Sequence, residues 1–315
     1  MLKTTFLNNV LNQYKIKPYL VLLFLIIFSS TTFSETKLVI LGSGTPNPDP
    51  NRYGSGYAII VNEKAYIVDF GPGIVRRISA MSPSWGGEFS AMELENINIA
   101  FLTHIHSDHS GALADLILTP WVMGRDEPLK LFGPQGIKKM AKKITEAYED
   151  DINYRLYGSQ PANKLGYLTN VSEIFDDGLI YKDDNVEVTA FKNSHGDLED
   201  SFGYLFETND KKILFSGDTA VSENLKKYGK NLDILVHEVF SSETFENKTK
   251  EWQIYHKAHH TSSIDLGKIA NELKPNKLVL SHILFWGASS ESLLSDISQN
   301  FNGTSIIAED LLVID

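Results

Sequence analysis

Cysteine does not occur among the 315 residues. Its absence excludes a disulfide scaffold, a cysteine nucleophile, a thiolate metal site and a lipid-anchored N-terminal cysteine. Positive charge is scarce. There are 29 Lys and Arg against 40 Asp and Glu, a net charge of −11. That balance argues against a protein held to RNA or DNA mainly by a basic surface. Proline is sparse too, and no Pro-rich linker, low-complexity tract or internal repeat divides residues 35–315. We read them as one domain. The 42% hydrophobic and 22% charged content is ordinary for a globular chain, which excludes wholesale disorder. The length is enough to bury a sizeable core.

Residues 1–34 carry Lys3, Lys15 and Lys17 and no acidic residue. An apolar run follows from Tyr19 to Phe28, then a small and polar stretch from Ser29 to Ser34. Basic region, apolar core and cleavable region in that order predict a secretory signal peptide. The apolar run is too short for a spanning helix of about twenty residues. Thr32 and Ser34 fit the positions three and one before a cut. An uncleaved anchor is the rival reading, because the basic region is long. Cleavage would take the net charge from −11 to −14 and leave no stable membrane span. The expected location is exported, periplasmic or extracellular, and a cysteine-free chain fits it.

Short apolar runs recur at 38–41, 57–61, 65–68, 97–102, 186–191, 213–215, 232–236 and 278–280. Most are β-branched or aromatic-rich and lie beside Gly, Asn or Asp, so they read as strands. Helical spacing appears at Ile137, Met140, Ala141, Ile144 and Tyr148. It appears again at Leu266, Ile269, Ala270 and Leu273, after a Ser262-x-x-Asp265 start that resembles a capping box. Strands mixed with helices predict a layered α/β domain. Residues 124–181 are a candidate inserted cap or an ordinary surface excursion.

The chemistry centres on Thr103-His104-Ile105-His106-Ser107-Asp108-His109, directly after an expected strand. Three of the nine histidines and an aspartate fall within six residues. Imidazole and carboxylate at this spacing suit divalent metals, zinc above all. His195, Asp218, Glu238 and His282 each follow another expected strand. Functional residues of layered α/β folds gather at the carboxyl ends of strands. A strand-end Asp or His taken alone is more often a turn or capping residue; the hexapeptide reverses that balance.

With these motifs the sequence resembles the metallo-β-lactamase superfamily. The resemblance runs from Leu41-Gly42-Ser43-Gly44-Thr45-Pro46 and Asp69-Phe70-Gly71-Pro72-Gly73 to Ser281-His282. The Gly-Asp-Thr setting of Asp218, His237-Glu238 and His260-Thr261-Ser262 are similar to the ribonuclease Z and arylsulfatase branch. The resemblance implies a four-layer αβ/βα sandwich with two Zn2+ at one edge, Mn2+ or Fe2+ being the alternatives. It implies His104, His106 and His195 as ligands of one metal, Asp108, His109 and His282 of the other, and Asp218 bridging both. Two metals roughly 3.5–4 Å apart can clamp attacking and leaving oxygens and bring the pKa of water to about 7. Asp108 could also orient the attacking group.

The leaving group needs a proton, and Glu238 with His260 is the candidate donor pair. A turn-capping Glu238 and a packed His260 are the alternatives. His237 is expected to be structural, on the strand face opposite Glu238. Asp197 and Asp200 could orient His195 or be solvated. Trp121, Trp252, Tyr255 and Trp286 shape a pocket or belong to the core, and His256 lines the site or its rim.

Phosphodiester hydrolysis is the expected reaction, on a small or medium anionic ester. Sulfate ester hydrolysis of the arylsulfatase kind and lactone hydrolysis are the alternatives. Export and negative charge argue against tRNA as partner, and an oligomer is left open. A metal- or ligand-binding module is the non-enzyme alternative. It would lack a ligand or the donor pair, and here every presumptive residue is present.

Overall fold

The computed structural model describes residues 35–315. Residues 1–34, where the export signal is expected, lie outside the described residues. No described helix is long and apolar enough to cross a membrane.

The chain forms two seven-stranded mixed sheets. In chain order the strands are β1 (Lys37–Gly42), β2 (Gly56–Val61), β3 (Lys64–Val68), β4 (Ile99–Phe101), β5 (Leu129–Pro134), β6 (Thr169–Ile174), β7 (Gly178–Lys182), β8 (Val186–Lys192), β9 (Phe202–Thr208), β10 (Lys212–Phe215), β11 (Ile234–Phe240), β12 (Lys277–Leu284), β13 (Thr304–Ile307) and β14 (Val313–Ile314). One sheet runs β14-β1-β2-β3-β4-β5-β6 and the other β13-β12-β11-β10-β9-β8-β7. Pairing is antiparallel from β14 to β3 and parallel from β3 to β6. The second sheet repeats the scheme, antiparallel from β7 to β10 and parallel from β10 to β13.

The helices are α1 (Ile74–Ala80), α2 (Ser107–Ser110), α3 (Leu113–Val122), α4 (Ile137–Ala147), α5 (Glu149–Tyr157), α6 (Glu223–Tyr228), α7 (Ser242–Phe245), α8 (Lys250–His259), α9 (Ser263–Leu273) and α10 (Ser290–Ser298). The expected cap is present at α9, where Ser262 Oγ accepts from Asp265 N, but the Asp265 carboxylate returns to the Ser262 hydroxyl rather than to its backbone N–H.

Alternation along the strands builds the layers. Leu38 and Ile40 enter the core between the sheets, while Val39 and Leu41 pack outward with α1 and α3. In β10, Ile213 and Phe215 face inward and Leu214 joins α9 and α10 on the far side. Each sheet is therefore covered on both faces, which is why its strands read as continuous apolar runs. The result is the four-layer αβ/βα sandwich. Residues 124–181 supply β5 and β6 to one sheet and edge strand β7 to the other. None of them lines the cavity beside His260.

Arg125 is wholly buried. Pro120 inside α3 has no N–H for the carbonyl of Leu116, and Arg125 Nη1 donates to it at 3.1 Å. The same guanidinium donates to the carbonyls of Ile97, Ile117 and Gly166. Burial pulls its pKa down to about 10. Arg125→Ala leaves these acceptors unpaired beside a void and should cost about 3 kcal/mol or more. Denaturant unfolding checks this, and a loss under about 1 kcal/mol would show that the carbonyls find other partners.

Candidate metal centre

The carboxyl ends of β3, β4, β8, β10, β11 and β12 meet at one edge of the sandwich. From β4 the chain runs through Thr103 into His104, and His106 caps the short helix α2, which carries Asp108 and His109. Ser110 Oγ closes this turn by donating to the carbonyls of Ile105 and His106. Ser55 N donates to Asp108 O at 3.0 Å, and Phe70 N to His109 O at 2.7 Å. A Cβ on Gly71 would stand 2.1 Å from Asp108 O, so only glycine allows the approach. The Asp69-Phe70-Gly71-Pro72-Gly73 segment thus cradles the candidate ligand turn.

Two further backbone devices aim side chains into the site. Gly217 has φ +60°, and a Cβ there would lie 2.7 Å from Phe202 O; it delivers Asp218 from the end of β10. His282 has φ +46° and sits where the register of β11 and β12 shifts, between Ser281 and Ile283. This bulge turns the ring out of the ladder. Glu238 and His282 therefore lie within β11 and β12, whereas the apolar runs placed both after strand ends.

The structure brings all the expected site residues together. His104 Nε2 lies 3.0 Å from His106 Nδ1, which lies 3.2 Å from His195 Nε2. Asp108 Oδ2 lies 3.0 Å from His282 Nε2 and 3.5 Å from His109 Nε2. Asp218 stands between the two sets. Its Oδ1 is 3.4 Å from His109 Nε2 and 3.5 Å from His282 Nδ1, and its Oδ2 is 3.9 Å from His104 Nε2.

A divalent metal pair fits this donor set. His109 Nε2, Asp218 Oδ1 and His282 Nδ1 are buried with no hydrogen-bond partner. Interiors rarely leave such atoms unsatisfied, and three converging on one point are what a cation satisfies. Burial lowers His104, His106 and His195, the last to about 4, so these rings are neutral at pH 7, as ligands must be. Burial also pulls His109 down, but Asp218, Asp108 and Asp69 outweigh it and hold His109 well above its usual value. Burial raises Asp218, yet His282, His109 and His104 keep it well below the usual carboxylate range.

The outer partners orient these rings. Asp69 Oδ2 lies 2.7 Å from His109 Nδ1, and Asp69 Oδ1 accepts from Thr103 N at 2.8 Å. Sequence reasoning gave Asp69 no role. Its signal is the strand-end position after β3, where it takes φ +58°. The acceptor for His195 Nδ1 is the carbonyl of His259 at 2.8 Å, not Asp197 or Asp200.

Beside the candidate metal ligands, Glu238 Oε1 accepts from Thr261 N at 2.8 Å and Thr219 N at 3.3 Å. Its Oε2 is thereby aimed at His260 Nδ1, 3.4 Å away. Burial opposes charge on His260, but the carboxylates of Glu238 and Asp218 prevail and raise its pKa. His237 is fully buried with Nδ1 against Glu238 O and joins no ligand group, as its strand face implied. Trp121 is a core residue whose Nε1 donates to Asn163 O. Trp252, Tyr255, His256 and Trp286 instead line a cavity of about 400 Å³ with His106, Asp108, Asp218, His260 and His282.

Residues 36–282 match the family described as "Anti-Pycsar protein Apyc1". A ribonuclease Z of Mycobacterium bovis is 26% identical over 257 residues, spanning 78% of this chain and 85% of that protein. Among solved structures, the metallo-β-lactamase fold protein YhfI of Bacillus subtilis superposes with a TM-score of 0.69 at 18% identity, covering 90% of this chain and 100% of that one. The short form of human tRNase Z gives a TM-score of 0.65 at 20% identity, covering 89% and 98%. The family match takes in every candidate ligand position from His104 to His282, and the chain belongs to the Anti-Pycsar protein Apyc1 family and is a metal-dependent hydrolase in the ribonuclease Z branch of the metallo-β-lactamase fold.

Proposed function

We propose that this protein is an exported two-metal hydrolase that cleaves phosphodiester bonds in small or medium anionic substrates. The observation that carries the reading is the place of Asp218 between two sets of three ligand side chains, with Glu238 and His260 alongside. His104, His106 and His195 would hold one ion, Asp108, His109 and His282 the other, and Asp218 would serve both. Two bound Zn2+ would polarise a phosphoryl oxygen and bring the pKa of water to about 7. Asp108 also orients the attacking water from its buried position in α2. Glu238, fixed by two backbone N–H groups, keeps His260 protonated at Nδ1. His260 then gives a proton to the departing oxygen.

Phosphodiesters are favoured by the likeness to a ribonuclease Z, and small size by a net charge that offers no basic platform for a long polyanion. The basic, apolar and small-residue order of residues 1–34 supports export.

The test is parallel turnover of the zinc-loaded protein on bis(nitrophenyl) phosphate, nitrophenyl sulfate and a simple lactone. A large preference for the phosphate diester is expected. Preference for the sulfate or the lactone would overturn the assignment. Two bound metals with no turnover on any of the three would favour a binding module.

A further inference from the structure

The cavity beside His260 holds more than the reaction needs. Lys248 is the only lysine or arginine among its lining residues, in a chain of net charge −11. It follows α7 in a turn held by Gln253, whose Nε2 donates to the carbonyls of Glu246 and Lys248. Its Nζ lies 4.2 Å from the centroid of the Trp286 ring, a cation–π contact that fixes the ammonium at the cavity wall.

Trp286 is itself held in place. It takes φ +47°, a left-handed conformation rare for a bulky side chain. Its ring stacks on Phe240 at 5.7 Å and meets His256 at 4.5 Å. Next along the wall, Trp252 stacks on His256 at 5.5 Å and stays half exposed, as does Tyr255. His256 is 8% exposed, and its Nδ1 is buried with no hydrogen-bond partner among the described residues. A buried imidazole nitrogen left unsatisfied on a residue of the cavity wall points to a polar ligand. Flat apolar walls, one fixed ammonium and an unsatisfied imidazole make a subsite for a planar ring bearing an anionic or strongly accepting group at its edge.

We propose that Lys248 is a specificity-determining residue for the diester's non-leaving arm, receiving an anionic group on a flat ring that lies against Trp252 and Tyr255. This rests on the phosphodiesterase reading and deepens it. The ammonium selects among arms; it takes no part in cleavage, which the metal ligands and His260 perform.

The experiment keeps the leaving group constant. The zinc-loaded full chain is given three nitrophenyl phosphodiesters whose second arm is methyl, phenyl or 4-carboxyphenyl. The wild type should prefer carboxyphenyl over phenyl over methyl. Lys248→Gln should lose about ten- to hundredfold in kcat/KM on the carboxyphenyl diester. The loss should fall on KM and stay within about twofold on the methyl diester. Lys248→Arg should retain most of the preference, and rising salt should erode it in the wild type. Trp252→Ala, at an exposed position, should shrink the phenyl-over-methyl ratio about threefold to tenfold. Equal losses on all three diesters would place Lys248 at the phosphoryl group and overturn the inference, as would no loss on any. A wild type inactive on all three would instead overturn the phosphodiesterase reading, and this inference with it.

Discussion

Asp218→Ala should reduce diester turnover to the uncatalysed background and lower bound metal from two ions to at most one. The carboxylate is almost wholly buried, and its two oxygens face different ligand sets. No other described carboxylate stands between both groups of three. Alanine removes the shared ligand and leaves His104, His109 and His282 converging on an empty corner. Asp218→Asn is the control for shape: it keeps the volume, loses the charge and should also fail. Near-normal turnover with two metals retained would sink the assignment of Asp218. Unfolding curves of both variants, recorded with metal removed, separate loss of the site from loss of the fold.

His260→Ala should cut turnover about 10²- to 10⁴-fold while both metals stay bound. The size follows from its task, which is to donate a proton. Diesters with nitrophenolate leaving groups should suffer less than those with alkoxide leaving groups, because they depart without full protonation. The test is sharp because His260 also lies close to ligand atoms of Asp218 and His195. If the variant loses metal, His260 is a ligand and the donor assignment fails.

Glu238→Gln gives the matching pH result. The Glu238 carboxylate helps raise the pKa of His260. Without it the pKa falls, so the protonated donor disappears at lower pH. The alkaline limb of the kcat profile should move toward acid. An unmoved limb would mean that Glu238 only pins Thr219 and Thr261.

Much of this site was legible because its densest part is contiguous. His104 to His109 needs no tertiary knowledge, since one turn after one strand presents it. The other ligands were legible through strand ends, and those strands were visible because both faces are buried. What escaped has physical causes. Strand β9 opens with Phe202-Gly203, and Gly203 reads as a turn; a Cβ there would stand 2.3 Å from the ring of Phe191. Strand β6 is exposed at Asn170 and Ser172 and has only Val171 and Ile174 as apolar signals, while β7 is a short edge strand with Leu179 and Lys182 exposed. The ends of β11 and β12 were cut short because Glu238, Ser281 and His282 are polar, though they continue the ladder to a bulge. Asp69 was quoted for its motif but given no task, because its partner His109 lies 40 residues away. Trp121 looked like Trp252 in sequence. Only packing separates a core indole from one at a cavity wall.

The most direct test of the central claim is turnover of bis(nitrophenyl) phosphate through one cycle of chelation and zinc re-addition, with bound metal counted at each stage. The account predicts that turnover vanishes as metal is removed and returns only as the second equivalent of zinc binds, since Asp218 serves both positions. Turnover that survives complete removal of metal would contradict it.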